Sequence, residues 1–321
     1  KIDSKGIAKL GLSKDIPVSQ FPAKLVLELR SLTRKYYDLT DERSAHINKL
    51  KGDLHTVFPQ YLDVFCDVTG KTSTMILRQY GTPDKILRGH KKTMIEKISK
   101  ASRKGLAKAS ERYEKLCAAA NAAKTFGCQI DSIYFNIFLT LDLVEKLDSA
   151  LDSILNRIRQ LITFNKNEKF IQQIKLLNTI PGVGFLTAVT IMCEIGDFSA
   201  FRNPKQLFAY FGLDPEVNES GKFVGTQLHM SKRGSRIARR AIFAVALASI
   251  RTKRNGEGIN PYLRKYYELK SGQKPKMVAI GAVMHKVCNI VFAVLRDEKA
   301  FELRSPEEHC KQYQRPALAA A

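Results

Sequence analysis

Two glycines two positions apart join a pair of apolar segments in Leu176-Leu-Asn-Thr-Ile-Pro-Gly-Val-Gly-Phe-Leu-Thr-Ala188. The second segment continues to Ile195, and this arrangement predicts a helix-hairpin-helix. Gly182 and Gly184 let the backbone approach another surface closely, and the amides that begin the second helix point outward, where they favour a phosphate oxygen. A tight turn that only joins two packed helices is the alternative.

Positive charge dominates the composition of the whole chain. Its 321 residues include 53 Lys and Arg against 31 Asp and Glu, a formal net charge of +22, and 44% are hydrophobic. This balance is typical of a folded protein that binds a polyanion. We expect no membrane span and no secretion, because the chain lacks both an apolar run of about 18 residues and an apolar signal region. The six cysteines show no Cys-x-x-Cys spacing, which favours reduced thiols in a cytoplasmic protein.

Helical spacing of apolar residues fills the chain before the hairpin. It predicts a long amphipathic helix over residues 23–54 and short helices over 58–127, which carry a cationic cluster from Arg88 to Lys108. Apolar residues from Val144 to Leu161 alternate in steps of three and four, the signature of a coiled coil. Two alternatives remain for that helix: pairing with residues 23–54 of the same chain, or pairing with a second copy.

The segment after Glu219-Ser220-Gly221 is strongly cationic and contains few candidate nucleophiles. It has no acidic residue before Glu257 and holds nine cations: Lys222, Lys232, Arg233, Arg236, Arg239, Arg240, Arg251, Lys253 and Arg254. A loop serine that faces such cations can attack a phosphodiester, because the cations stabilise charge on the phosphorane and lower the pKa of the hydroxyl. Ser220 is therefore a candidate nucleophile, and an exposed serine without chemistry is the alternative.

Three other side chains need an interpretation. Ser231 and Ser235 are rival nucleophiles, although both are good residues to begin the following helix. His285 lies on the last apolar helix, and we expect it to have a structural role or to contact phosphate rather than to act as a base.

Six motifs, in order, resemble the C-terminal domain of the insertion sequence 110 transposase family. They are Ile180-Pro-Gly-Val-Gly, Glu194-Ile-Gly-Asp197, Phe211-Gly-Leu-Asp-Pro215, Glu219-Ser-Gly221, Ser231-Lys-Arg-Gly234 and the helix from Lys276 to Leu295. The resemblance spans about Lys175 to Phe301. The preceding part, including residues 22–54 and 58–65, is similar to the helical region that joins this domain to the family's N-terminal RuvC-like domain.

The resemblance implies a mainly α fold, with a long coiled-coil or helical linker and a helical C-terminal transposase domain that contains the helix-hairpin-helix. We expect residues 1–21 to be a remnant of the family's α/β RuvC-like domain, which in full carries the four Asp-Glu-Asp-Asp acids. The linker is then expected over 22–170, the transposase domain with its catalytic serine over 171–304, and a disordered tail over 305–321.

The resemblance also implies an activity and partners. Similar proteins cut and rejoin DNA through a phosphoserine, guided by a bridge RNA that pairs with donor and target DNA. Ser220 matches the family's nucleophile. Nucleic-acid contacts are expected from Gly182, Gly184, Lys222, Lys232, Arg233, Arg236, Arg239 and Arg240. The resemblance also implies dimers that pair into tetramers on DNA, so we expect a homo-oligomer here.

A Mg²⁺ ion is a further implication of the resemblance. In the family, four acids of the N-terminal domain hold the metal, and Asp3-Ser4 matches the second half of an Asp-x-x-Asp-[Ala/Ser] pattern that opens a helix. The other three acids have no counterpart in this chain. We therefore expect an N-terminally truncated transposase with an incomplete metal site, which binds nucleic acid and recombines poorly or not at all.

Two other functions fit part of the sequence. A non-catalytic helix-hairpin-helix protein of DNA or RNA metabolism explains the charge and the two glycines, but not the ordered motifs from Ser220 to Gly234. A decayed transposase remnant without a selected function is the third reading.

Overall fold

A computed structural model describes residues 2–12, 22–126, 130–216, 219–220, 223–224, 229–305 and 307–308. These residues are mostly helical, which confirms the mainly α prediction. The helices are α1 (Ile2–Leu12), α2 (Lys24–Val57), α3 (Tyr61–Val64), α4 (Lys71–Gln79), α5 (Pro83–Arg88), α6 (Lys91–Ser102), α7 (Gly105–Phe126), α8 (Asp131–Phe164), α9 (Lys169–Leu177), α10 (Phe185–Ile195), α11 (Pro204–Tyr210), α12 (Arg236–Ser249), α13 (Pro261–Ser271) and α14 (Lys276–Asp297), with a short 3₁₀ turn at Phe198–Ala200. Two strands, β1 (Glu219–Ser220) and β2 (Phe223–Val224), form a small antiparallel sheet.

The chain divides into two compact units. The first unit contains Lys1–Thr33 and Ile158–Ala321, and the second unit contains Arg34–Arg157. The candidate site residues, from Asp3 to Arg240, all belong to the first unit, and the cationic cluster Arg88–Lys108 belongs to the second. The predicted disordered tail lies almost entirely outside the described residues, as do residues 13–21 of the predicted N-terminal remnant.

Several helices begin where the sequence supplies a side chain that accepts a main-chain hydrogen bond. The side chain of Asn260 accepts from the amide of Leu263 at 3.1 Å, and that of Ser235 accepts from the amide of Ala238 at 3.2 Å. These contacts satisfy amides that the first turn of a helix leaves unpaired. Ser235 therefore has the helix-entry role that the sequence predicts.

In the second unit, α2 and α8 pair antiparallel within the chain. The guanidinium of Arg43 donates to the carboxylate of Asp148, and the Tyr134 hydroxyl donates to the carbonyl of Val57 at 3.3 Å. Residues that lie later in α2 thus meet residues that lie earlier in α8. This geometry corresponds to the intramolecular alternative for the heptad helix. The other edge of α8 leaves Phe135, Leu139 and Leu143 exposed.

The core of the second unit is built around aromatic rings from α3 and its flanks. Phe58 and Phe65 lie with their ring centroids 5.2 and 4.9 Å from that of Tyr61. The Tyr61 hydroxyl is fully buried and bonds to the carbonyl of Ser73 at 3.0 Å and to its hydroxyl at 2.9 Å. Burial raises the pKa of this phenol well above its usual range. The hydrogen bonds compensate for placing a polar group in an apolar core.

The first unit packs around α10 and α14. Every residue of α10 from Ala188 to Ile195 is buried, and α14 buries ten side chains along its length. Of the described helices, α14 alone is long and apolar enough to cross a membrane, but 56% of its apolar window is already buried inside the protein. That degree of burial is typical of a core helix.

We predict that Tyr61→Phe lowers the free energy of unfolding by about 1–2 kcal/mol, because it leaves the buried carbonyl and hydroxyl of Ser73 without their partner. Ser73→Ala is the matched control and should cost less, since the Tyr61 hydroxyl keeps its bond to the Ser73 carbonyl. Urea denaturation measures both values. Equal costs for the two variants would contradict this account of the core.

Candidate nucleic-acid and catalytic site

The hairpin between α9 and α10 contains the two glycines of the sequence motif, and their surroundings differ. Gly182 has a φ of +95°, and a Cβ there would lie 2.6 Å from Oγ of Ser249, at the end of α12. The Ser249 hydroxyl donates to the carbonyl of Pro181 at 3.1 Å. The close approach that Gly182 allows is therefore to α12. Gly184 is exposed, immediately precedes α10, and has open space where a Cβ would be.

The opposite end of α10 is held by side chains from distant segments. Nε of Arg30 donates to the carbonyl of Cys193 at 2.7 Å, and the Tyr210 hydroxyl donates to the carbonyl of Glu194 at 3.1 Å. These donors satisfy carbonyls that the last turn of a helix leaves unpaired, and Arg30 adds a favourable charge at the negative end of the helix dipole. Burial raises the pKa of the Cys193 thiol to about 12, so this cysteine is a core residue and not a nucleophile.

Ser220 lies in the small sheet, where its main chain is fixed by pairing with the neighbouring strand. Ser220 is opposite Phe223, and Glu219 is opposite Val224. Gly221 and Lys222, between the two strands, lie outside the described residues. The predicted nucleic-acid contact of Lys222 and the predicted chemistry of the Ser220 hydroxyl therefore stay predictions.

Paired chain ends flank the small sheet. Pro215 forms an antiparallel bridge with Met230, and the amide of Glu216 donates to the carbonyl of His229 at 2.7 Å. The chain thus leaves and returns at one place, and Ser220 lies between these paired ends. We call residues 217–228, which contain the small sheet, the arm, and the paired segments 214–216 and 229–231 the base of the arm.

The base is locked by Asp214 and Ser231. The Ser231 hydroxyl donates to Oδ1 of Asp214 at 2.6 Å, and the Ser231 amide donates to the Asp214 carbonyl at 2.8 Å. Ser231 thus joins two loops and does not begin α12, so the prediction of a helix-entry role for this residue is wrong. The reason is that α12 begins only at Arg236 with Ser235 as its N-cap, so Ser231 lies too far before the helix to bond to its first amides.

Two glycines bring the loops before and after the arm into direct backbone contact. Gly212 has a φ of +65°, and a Cβ at Gly212 or Gly234 would overlap main-chain atoms of the other loop. Across this contact the amide of Lys232 donates to the carbonyl of Gly212 at 3.0 Å. The motifs Phe211-Gly-Leu-Asp-Pro215 and Ser231-Lys-Arg-Gly234 therefore form one structural unit, although fifteen residues separate them.

The side chain of Arg239, on α12, holds the two loops of this unit together. Its Nη1 donates to the carbonyls of Gly234 at 2.7 Å, Lys232 at 3.1 Å and Phe211 at 3.2 Å. A guanidinium that bonds to three main-chain carbonyls is committed to holding the loops in place. The nucleic-acid contact that the sequence predicts for Arg239 stays a prediction beside this structural role.

The remaining predicted cations lie around the base of the arm. Lys232 and Arg233 are exposed on the returning loop, and Lys232 adopts a φ of +55°. Arg236 is exposed in the first turn of α12, Arg240 is half-buried on the same helix, and both interact with other groups of the chain. The structure thus places Lys232 and Arg233 where they are accessible to a phosphate next to the arm.

His285 has the surroundings of a packing residue. Its ring meets that of Phe208 edge to face, with centroids 4.7 Å apart. Partial burial and the nearby charges of Lys286 and Lys205 lower the pKa of the imidazole. The ring is therefore neutral at neutral pH, as suits a contact inside an apolar layer.

Asp3 does not form a metal site with other described residues. It is exposed in the first turn of α1, and within the described ranges no three His, Cys, Asp or Glu side chains come together in a way that could hold a metal ion. A single exposed carboxylate does not fit a Mg²⁺ site, which needs several oxygen ligands. The metal stays an implication of the family resemblance.

Sequence reasoning did not assign three residues that shape the site: Asp214, Ser249 and Arg30. Asp214 lies inside the motif Phe211-Gly-Leu-Asp-Pro215, so the sequence did contain a signal that could have identified it. Ser249 and Arg30 lie in ordinary helical sequence, and their partners are 68 and 163 residues away.

We predict opposite outcomes for alanine at the two hairpin glycines. Gly182→Ala should lower the free energy of unfolding by at least about 1–2 kcal/mol, because the new Cβ meets Ser249 and the positive φ is strained. Gly184→Ala should change it by less than about 0.5 kcal/mol, since the site is open. Chemical denaturation tests both, and a stable Gly182→Ala variant would show that the hairpin does not pack on α12.

A second pair of variants separates the structural arginine from an accessible one. Arg239→Gln should lower the free energy of unfolding by about 1–3 kcal/mol through loss of charged hydrogen bonds to three carbonyls. Arg233→Gln should leave stability unchanged and reduce the log–log salt slope of duplex DNA binding by about 0.9. Thermal melts and salt titrations measure these effects. A loss of stability in Arg233→Gln, with only a lower salt slope in Arg239→Gln, would overturn the interpretation of both residues.

Comparison with known proteins gives two family matches. A family model described as "Transposase IS116/IS110/IS902 family" matches residues 174–268, which contain the hairpin, the arm and its base. A second family model, of the DEDD transposases of IS110 type, matches residues 1–59.

Individual relatives extend the similarity along the chain. The chain is 23% identical to an uncharacterized 43.6 kDa protein of insertion element IS110 from Streptomyces coelicolor, over 88% of this chain and 66% of the relative. It is 24% identical to an uncharacterized 44.8 kDa protein of insertion element IS116 from Streptomyces clavuligerus, over 92% of this chain and 70% of the relative. It is 30% identical to the pilin gene-inverting protein of Moraxella bovis, over 55% of this chain and 52% of the relative.

The chain thus spans about half to two thirds of the length of the curated relatives it matches. The family matches, these relatives and the six ordered motifs agree with one another. Together they show that the chain is similar to transposases of the IS110/IS116 family, above all over residues 1–59 and 174–268.

Proposed function

We propose that the chain acts as a DNA transposase in which Ser220 is the nucleophile. The observation that carries the proposal is the arm: the main chain of Ser220 is paired in a two-stranded sheet, between chain ends that are locked together at Asp214 and Ser231. A nucleophile on a braced segment reaches its target with less loss of conformational freedom than one on an unbraced loop. The similarity to these transposases supports the same role.

In the proposed reaction, Oγ of Ser220 attacks the phosphorus of a DNA phosphodiester. The Oγ–P bond forms, the bond from phosphorus to one deoxyribose oxygen breaks, and that oxygen takes up a proton while the serine releases one to solvent. Attack by a DNA hydroxyl on the phosphoserine reverses these steps and rejoins a strand. Because each step exchanges one phosphate ester for another, the chemistry needs no nucleotide hydrolysis.

Lys232 and Arg233 are proposed to stabilise the developing charge. Both are exposed on the loop that returns from the arm, and the main chain of that loop is fixed by Arg239 and by the Gly212–Gly234 contact. Cations held in position before the reaction stabilise a phosphorane without reorganisation during the step. The exposed Gly184 and the amides that begin α10 are proposed to contact a phosphate of the bound strand.

The proposed partners are donor and target DNA, with a bridge RNA that pairs with both. The net charge of +22 supports binding of more than one polyanionic strand. Assembly into dimers or tetramers on DNA is part of the proposal, and the exposed edge of α8 at Phe135, Leu139 and Leu143 provides an apolar surface for pairing. Such a protein acts in the cytoplasm on nucleic acid.

The experiment that tests this proposal traps a covalent adduct. The chain is incubated with bridge RNA and a nicked DNA substrate whose cleaved fragment diffuses away, and protein–DNA adducts are separated under denaturing conditions. Because the described residues hold no complete metal site, we predict a small but measurable amount of adduct with the wild-type chain, its complete loss in Ser220→Ala, and its retention in Ser231→Ala. An adduct in Ser220→Ala, or nucleic-acid binding without any adduct, would overturn the proposal, and the second result would identify a non-catalytic nucleic-acid-binding protein.

A further inference from the structure

We propose that the hairpin of α6 and α7 in the second unit is a separate nucleic-acid-binding surface, and that its ligand is the phosphate backbone of a double helix. The surface comprises residues 88–115, and it holds none of the residues assigned above to strand cleavage. The inference goes beyond the proposed function, because it assigns a binding role to a unit without a proposed catalytic residue.

Excess positive charge is the first argument. Residues 88–115 contain ten Lys and Arg against three Glu. Two of the three acids are paired, with Lys91 bonded to Glu114 at 2.7 Å and Lys115 bonded to Glu111 at 2.8 Å. Surface ion pairs of this kind contribute little stability, so the further cations are not needed to hold the hairpin together.

Several cations of this surface are available to a ligand. Lys104 and Lys108 are exposed, and neither forms a hydrogen bond or ion pair with any residue in the described part of the chain. Unpaired cations repel one another, and a polyanion relieves this repulsion while it releases its own counterions.

The arrangement along the helix fits a linear polyanion. Lys108, Arg112 and Lys115 follow one face of α7 and are roughly 4.5–6 Å apart at the helical rise of about 1.5 Å per residue, and Lys104 immediately precedes the helix, four residues before Lys108. All four line one cavity of about 170 Å³, together with Asp63, Val64, Ile98, Ser102 and Glu111. A row of cations at this spacing matches the repeat of phosphates along a strand.

Aromatic packing orients one member of the row. The guanidinium of Arg112 lies 5.5 Å from the centroid of the Phe65 ring, whose side chain is buried in the core of the unit. A stacked guanidinium loses less conformational freedom on binding phosphate than an unrestrained side chain does. The turn before α7 is also defined, because Arg103 ends α6 in the left-handed conformation with a φ of +54°.

The side chains favour a double helix over a single strand. Proteins that bind single strands stack bases on exposed aromatic rings. Tyr113 is the one Phe or Tyr in residues 88–115, and it is 8% exposed, while the large apolar side chain exposed there is Leu106. Long cationic side chains without a stacking platform contact the backbone of a duplex, where no base needs to be unstacked.

The test compares two double variants of the full chain. Lys104→Gln with Lys108→Gln removes two cations from the surface, and Lys49→Gln with Lys51→Gln removes two exposed cations from α2 as the matched control. Equilibrium binding is measured against salt with a 20-base-pair RNA stem, a DNA duplex of the same sequence and a single-stranded RNA. Thermal melts check that both variants stay folded.

We predict that the Lys104/Lys108 variant reduces the log–log salt slope for a duplex by about 2, roughly one for each phosphate contact, and that the control leaves it unchanged. A loss on the RNA stem alone assigns the surface to RNA, and an equal loss on both duplexes assigns it to any double helix. An unchanged slope, an equal loss in the control, or a loss confined to the single strand would overturn the inference. The measurement needs no strand cleavage, so its outcome is independent of Ser220.

Discussion

The backbone contact between Gly212 and Gly234 is the constraint on which the candidate site depends. Neither position has room for a Cβ, so the loop before the arm and the loop after it approach more closely than any other residue pair would allow. That approach lets Arg239 reach carbonyls on both loops and lets Ser231 reach Asp214. The base from which the Ser220 strand extends is therefore set by a close main-chain contact, which the side chains of Arg239, Ser231 and Asp214 hold in place.

The cations of the chain divide into some that bond to other groups of the chain and some that are exposed. Arg30, Arg43 and Arg239 are half-buried and bond to carbonyls or a carboxylate of the chain itself, and each stabilises a helix end, a helix pair or a loop. The cations of Lys104 and Lys108, and those of Lys232 and Arg233, are exposed instead. The net charge of +22 is therefore the sum of two populations, and only the exposed one is available to nucleic acid. Composition alone does not distinguish them.

The predictability of each feature depended on the range of the interaction behind it. Local signals were sufficient for the long helices α2 and α8, for the break at the hairpin and for the start of α12 at Ser235, because the periodicity and the capping residue lie within a few positions of one another. The role of Gly182 was not predictable in the same way, since the residue that requires a glycine there, Ser249, is far along the chain. The predicted helix-entry role of Ser231 was wrong, and the actual partner of its hydroxyl, Asp214, likewise lies far away in the sequence. The role of Ser220 as a nucleophile was predicted from a resemblance of motifs. Local sequence alone does not distinguish it from Ser231 and Ser235.

The paired base of the arm has a consequence for how such proteins diverge. The chain leaves at Glu216 and returns at His229, and the hydrogen bond between these two residues closes the base whatever lies between them. Of the twelve intervening residues, those other than Ser220 and the residues of the two paired strands can therefore gain, lose or exchange positions in evolution without disturbing the loops that Arg239 and the two glycines hold. Sequence change in the rest of this segment is thereby separated from the loops that support it.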